Sequence, residues 1–199
     1  MHRPKSRRKH FDVDMFPIFN LLLILLSFLI LGGHPTVRCP IQINLPAGSC
    51  FSTTDPDSYV ATILIGQKKL MLMLDAPDIR EAALKQIGDR YNTGFTSAEI
   101  NKFGETDVIG TPLVNIKKYI SGYYNAADYY NQPGLRLDEL AQWIKESRKA
   151  TWKQHNVHTH FAIMADAETS YPEVKKVIDM LGRQKINKFS LLYSYVNTI

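Results

Sequence analysis

Three histidines near the C-terminal third are the densest group of potential metal ligands in this sequence. His155, His158 and His160 follow the spacing H-x-x-H-x-H, and on a strand the last two would share a face and could bind a transition metal. No carboxylate or cysteine at a matching spacing completes a ligand set. Surface histidines at the entrance of a strand are therefore the favoured interpretation, and we predict no metal site.

Asp166 and Glu168 are a second candidate, an acid pair that follows a predicted strand. No neighbouring group completes an acid–base site, so a turn that caps the following helix is the favoured role. The sequence also contains no glycine-rich phosphate loop and no G-x-S-x-G or H-E-x-x-H motif. We predict no catalytic residue, no cofactor and no enzymatic activity.

The tyrosine-rich segment YISGYYNAADYY, residues 119–130, is a third candidate. Its rings could stack on glycan rings or could pack between helices. Packing is favoured because aromatic side chains bury large areas.

Polar groups in an apolar run are the last candidate. No side chain from Met15 to Leu31 is charged, yet Asn20 and Ser27 lie within the run and Asp14 precedes it. Seventeen helical residues rise about 26 Å, and the two glycines that follow extend the run towards the roughly 30 Å of a bilayer core. The run therefore predicts a transmembrane helix over residues 15–33.

The flanking charges predict the orientation of this helix. Five basic residues precede it, and Arg38 alone follows closely. This asymmetry places the N-terminus in the cytoplasm and the rest of the chain outside it. A cleaved signal peptide is the rival, but the run is long and no A-x-A site follows it. Residues 1–14 also carry +3 of the net charge of +5, so the basicity predicts no nucleic-acid partner.

Beyond the helix, the sequence predicts an extended periplasmic tether over residues 34–58 and one periplasmic α+β domain over residues 59–199, after a cytoplasmic basic tail at residues 1–14. The tether is rich in Pro, Ser, Thr and Asp, with a short strand at Ile41–Asn44. Cys39 and Cys50 lie in it. They could pair in an oxidising compartment or remain two free thiols.

Hydrophobic periodicity predicts the elements of the domain. Two apolar runs around Gly66 and Gln67 indicate a β-hairpin, with Gly66 supplying the positive φ of the turn. Helical patterns cover residues 77–91, a segment capped by Thr96 or Ser97, a segment near 114–124, and residues 135–150, with a loop at 125–134. A strand at 159–166, a helix starting near Pro172 and a final strand indicate a βαβ unit that closes a small mixed sheet.

Two segments together resemble the ExbD/TolR biopolymer-transport family. The basic lead-in RPKSRRKHFDVDM with its single apolar helix resembles the start of that family, and ADAETSYPEVKKVIDMLGRQKINKFSLLYS resembles its terminal motif. Residues 77–150 resemble the helical insertion of its larger members. The resemblance implies a single N-terminal transmembrane helix followed by a small mixed-sheet α+β domain.

The resemblance also implies a mechanism. Members form dimers whose helices sit inside multi-span ExbB/TolQ-like subunits, and proton flow drives a TonB- or TolA-like protein that reaches the outer membrane. The family carries an aspartate in the span, where this sequence has Asn20. Ser27 lies on the same face, and Asp14 is a candidate displaced relay. Asn20 implies a stator subunit beside an Asp-bearing paralogue, or a non-conducting scaffold. A secreted protein with a signal peptide is the remaining alternative.

Overall fold

The computed structural model describes residues 15–32, 39–48, 59–122 and 129–195. The chain divides into two units, residues 1–37 and residues 38–199. The basic tail with Asp14 lies outside the described residues, as do Cys50 and most of the predicted tether.

The described part of the first unit is one helix, α1 (Met15–Gly32). Leu-rich sequence favours helix, and Pro17 lies in the first turn, where its missing N–H costs no internal hydrogen bond. The helix matches the predicted span except for Gly33, which lies outside the described residues.

The second unit is built on a five-stranded mixed sheet, which confirms the α+β class. A two-residue strand, β1 (Ala47–Gly48), precedes it in the chain. The sheet contains β2 (Val60–Gly66), β3 (Lys69–Leu74), β4 (Val108–Ile109), β5 (His160–Ala165) and β6 (Ser190–Leu192), in the order β4-β3-β2-β5-β6. β3 is antiparallel to β2 and β4, whereas β5 is parallel to β2 and β6. β7 (Ser194–Tyr195) pairs with β1 in a separate parallel ladder.

The predicted hairpin between β2 and β3 is confirmed, but the prediction for its turn is wrong. Gly66 pairs with Lys69 inside the ladder, so Gln67 and Lys68 form a two-residue turn. Positive φ angles occur at Gln67 (52°) and Lys68 (59°). Such a turn needs left-handed backbone at both central residues to match the twist of the strands, and here two residues with side chains adopt it.

The helices of the domain follow the predicted patterns. They are α2 (Pro77–Arg90), α3 (Ser97–Gly104), α4 (Ile116–Gly122), α5 (Leu137–His155) and α6 (Tyr171–Arg183). Thr96 caps α3 in a reciprocal capping box with Glu99. Part of the predicted loop at 125–134 is helical, because Tyr129 and Tyr130 are in helix, and residues 123–128 lie outside the described residues.

One face of the sheet carries the main core. Phe161 and Ile163 of β5 are buried there against the helices. On α6, Val177 and Leu181 are buried in the same core. β5, α6 and β6 therefore form the predicted βαβ unit, which buries one apolar face of the sheet.

The opposite face of the sheet is covered by residues 39–48, which we call the strap. Ile41 is 2% exposed and packs with Leu64, Met71 and Val108, with Cys39 and Ile43 partly buried beside it. The strand predicted at Ile41–Asn44 is wrong, since these residues form no ladder and the strap pairs only through β1. This part of the predicted tether is a packed layer of the domain.

Candidate functional site

α1 is an apolar helix with no buried residue. It is the one helix in the described part of the chain that is long and apolar enough to cross a membrane. Its large apolar side chains are exposed all around the axis, from 47% at Ile18 to 80% at Leu31. Exposed apolar surface on every side is unfavourable in water, so the helix needs lipid or apolar protein around it. It is suited to anchor the chain in a membrane.

Asn20 and Ser27 are polar interruptions on one side of this helix. They are seven residues apart, which separates them by about 20° around the axis and about 10 Å along it. The Ser27 hydroxyl donates to the carbonyl oxygen of Leu23 at 2.8 Å, so its proton is satisfied within the helix. The Asn20 side chain is exposed, and its amide offers donors and an acceptor without changing charge. The stripe can bind a polar group but cannot titrate.

The three histidines have separate partners in the structure. His155 Nε2 lies 2.6 Å from Asp78 Oδ2, and His160 Nε2 lies 2.9 Å from Ser190 Oγ. The His158 ring stacks on Trp152, with ring centroids 4.8 Å apart. No group of three potential metal ligands occurs among the described residues.

The acid pair does not cap a helix. Asp166 Oδ1 accepts a hydrogen bond from the backbone N–H of Asn44 at 3.3 Å, while Ser170 is the N-cap of α6 without a side-chain cap bond. The turn assignment is correct, but the capping role is wrong. The Ala167 N–H also donates to the Asn44 carbonyl at 2.8 Å. Asp166 and Ala167 together therefore hold Asn44 of the strap against the end of β5.

Tyrosines from the aromatic segment partly enter the core. Tyr119 and Tyr129 are buried, whereas Tyr130 is exposed and meets Tyr129 edge-on. The buried amide of Gln132 organises them, since Nε2 donates to Tyr119 Oη at 2.9 Å and Oε1 accepts from Gly110 N–H at 2.7 Å. Packing is thus the observed role of the two buried rings.

Sequence reasoning missed Arg80, a buried arginine at the start of α2. Its Nε and Nη2 donate to the Gly104 carbonyl at 2.9 and 2.6 Å, and Nη1 donates to the Leu74 carbonyl. Nη1 also lies 3.7 Å from Asp107 Oδ1. Arg80 thereby joins the ends of β3 and α3. The sequence does contain a signal for its burial. Arg80 lies three residues before Ala83, which places both residues on the buried face of α2.

Arg80 is also part of a small charged cluster at the end of β3. Burial raises the pKa of the Asp75 carboxyl above its ordinary value, the Arg80 guanidinium opposes the rise, and the Asp107 carboxylate adds to it. The cluster binds backbone carbonyls of its own domain, so its arrangement is that of a structural clamp.

A second missed group is the buried carboxylate of Glu146, between α2 and α5. Arg90 Nη2 lies 3.0 Å from Oε1 and Lys149 Nζ lies 3.1 Å from Oε2. Both cations reach the solvent, and together they compensate the buried charge of Glu146. Because Arg90 belongs to α2 and Glu146 to α5, their ion pair joins the two helices.

Comparison with known proteins identifies one match. The family model described as biopolymer transport protein ExbD/TolR matches residues 6–195, nearly the whole chain. No curated protein and no solved structure matches.

Proposed function

The chain belongs to the ExbD/TolR family of biopolymer transport proteins, and on that premise we propose that it is the single-span subunit of an inner-membrane complex that uses the proton motive force. The complex would act as a stator that energises protein or biopolymer transport at the outer membrane. The observation that carries this proposal is α1, an apolar helix long enough to cross a membrane, with Asn20 and Ser27 as its polar interruptions.

The charges around α1 support an orientation with the basic tail in the cytoplasm and the domain in the periplasm. Arginine and lysine residues are concentrated before the span, which is the pattern of cytoplasmic flanks. Reporter fusions at residue 10 and residue 199 test this orientation. Cytoplasmic activity of the fusion at residue 199 would contradict it.

The exposed surface of α1 supports an assembly with other membrane helices. A polar stripe facing lipid is unfavourable, so Asn20 and Ser27 are expected to face a partner helix, where an amide hydrogen bond contributes about 1 kcal/mol. We propose multi-span ExbB/TolQ-like subunits as that partner, with the chain present as a dimer of itself or with an Asp-bearing paralogue. A TonB- or TolA-like protein would receive the movement.

Two versions of the proposed function account differently for Asn20. An intramembrane carboxylate is costly to insert, so where the family carries one it marks the proton step. Asn20 cannot carry a proton as a carboxylate does. We therefore propose that proton-driven output needs a second, carboxylate-bearing subunit, or Asp14 as a displaced relay. The alternative is a non-conducting scaffold of the same fold, which Asn20 specifically favours.

Proton flux into proteoliposomes that contain this subunit and its multi-span partner tests the assignment of Asn20. If a second carboxylate-bearing subunit is required, we expect no flux when the wild type is the only single-span subunit beside the multi-span partner, and pH-dependent flux for Asn20→Asp. Leu22→Asp is the matched control, because it places a carboxylate at nearly the same depth but about 160° around the helix from Asn20. It should insert without restoring flux.

Three results would contradict the assignment. The first is robust wild-type flux that Asn20→Leu leaves undiminished, which means that residue 20 is not the proton position. The second is equal flux from Asn20→Asp and Leu22→Asp, which means that the stripe has no special role. The third is wild-type flux abolished by Asn20→Leu, which means that the amide itself serves the proton path.

A further inference from the structure

A small cavity opens between the β2–β3 turn, the start of α5 and the first two turns of α6, at the end of the domain where β2 ends. We infer that this cavity, which we call the lysine pocket, binds one apolar side chain from an acidic peptide segment of a partner protein. The inference rests on the proposed function only for the owner of that peptide, which would be the energised partner.

The base of the lysine pocket is apolar. Ile65 and Val177 come from the core, at 2% and 1% exposed, and the half-buried Leu70 and Leu137 form the walls. The cavity volume is about 190 Å³. Pockets for free small molecules span about 300–1,000 Å³, so this one suits a single large side chain, the kind of anchor that peptide segments use.

The rim of the lysine pocket is basic. Lys68, Lys69 and Lys176 line it, with Glu173 as the one carboxylate among the described lining residues. None of the three lysines forms an ion pair within the described part of the chain. The rim therefore carries an excess of two positive charges, which complements carboxylates that flank an apolar anchor.

The turn that presents one of these lysines is unusual. Asn and Gly are the residues that two-residue turns prefer, because left-handed backbone is unfavourable for other side chains. Gln67 and Lys68 nevertheless adopt it, with φ of 52° and 59°. Lys68, the second residue of this turn, is one of the lining residues of the pocket. Strained backbone that the surrounding structure maintains is a frequent feature of binding sites.

Peptide binding to the full chain in phosphatidylcholine nanodiscs tests the pocket. The probe is a fluorescein-labelled eight-residue peptide with one leucine between two pairs of glutamates, followed by fluorescence anisotropy. Lys176→Glu should raise the Kd about fivefold or more, because it reverses a rim charge. Lys175→Glu, the neighbouring exposed residue that does not line the pocket, is the matched control and should change the Kd less than twofold.

Two altered peptides separate the pocket from general charge attraction. Replacement of the peptide leucine by serine should weaken binding about tenfold, since the apolar anchor is lost. Replacement of the glutamates by lysines should abolish binding. Equal effects of the two lysine variants, a serine peptide that binds within twofold of the leucine peptide, or no saturable binding would each overturn the inference.

Other occupants give different results. Displacement of the peptide by octanoate at similar affinity would reassign the pocket to fatty acids. Dimers that dissociate in Lys176→Glu but not in Lys175→Glu, measured by light scattering, would reassign it to a second copy of this chain. Proton flux does not enter these measurements, so failure of the peptide assay and failure of the proposed proton function are distinguishable.

Discussion

The burial of Ile41 in the strap predicts a stability cost that a free tether would not show. Ile41→Ala removes three carbon groups from a site that is 2% exposed, between Leu64 and Met71 on the sheet. At about 0.8 kcal/mol for each buried CH₂, the transfer loss is about 2.4 kcal/mol. The cavity left behind brings the expected loss to about 2–4 kcal/mol.

The neighbouring strap residues supply the matched controls. Ile43 is half-buried, so Ile43→Ala should cost about half as much. Gln42 is exposed between them, so Gln42→Ala should change the free energy of unfolding by less than about 0.5 kcal/mol. The order of the three costs, with the largest at residue 41, is what a packed strap predicts.

Thermal unfolding of the full chain in mild detergent, followed by near-UV circular dichroism, measures these costs. For a domain of this size, about 1 kcal/mol shifts the Tm by about 2–4 °C, so Ile41→Ala should lower it by about 4–16 °C. If Ile41→Ala unfolds within 1 °C of the wild type, or if the three variants are indistinguishable, residues 39–48 are a free tether and the burial argument fails.

Three further perturbations test the domain. Arg80→Ala should cost about 3–5 kcal/mol in urea unfolding, because it leaves buried carbonyls without a donor, whereas the exposed Arg183→Ala should cost under about 0.5 kcal/mol. Because the pKa of Asp75 is raised in the folded state, this carboxyl stabilises the fold at low pH, and that contribution is lost as the pH rises through the folded-state pKa. The Tm of Asp75→Asn should therefore rise relative to the Tm of the wild type between about pH 3 and about pH 7. A difference in Tm that stays constant over this range would contradict the raised pKa. Gly48→Ala should destabilise the domain by about 1–2 kcal/mol, because a Cβ would lie 2.2 Å from a tyrosine ring, whereas Gly94→Ala meets no atom within 4 Å; equal effects would refute the close contact.

The membrane helix and the helices of the domain are determined by local sequence. The span follows from an uncharged apolar run, and α2, α5 and α6 follow from apolar residues repeating every three to four positions. The βαβ unit follows from a strand, a helix and a strand in succession. The polar stripe of Asn20 and Ser27 is also local, since two residues seven positions apart share a helix face wherever the helix lies. These features depend on neighbours within a few turns.

Tertiary structure alone decides the remaining features, because they depend on partners far apart in the chain. Ala47 pairs with Ser194, and Asn44 meets Asp166, across separations that no periodicity encodes. The sequence therefore predicts an extended tether for the strap, although Ile41 is buried in a hydrophobic cluster on the sheet. The same reason applies to Arg80, whose carbonyl partners include Gly104, and to the lysine pocket, which three distant segments assemble. Local pattern specifies which face of an element is apolar, whereas only the packed sheet specifies what covers that face.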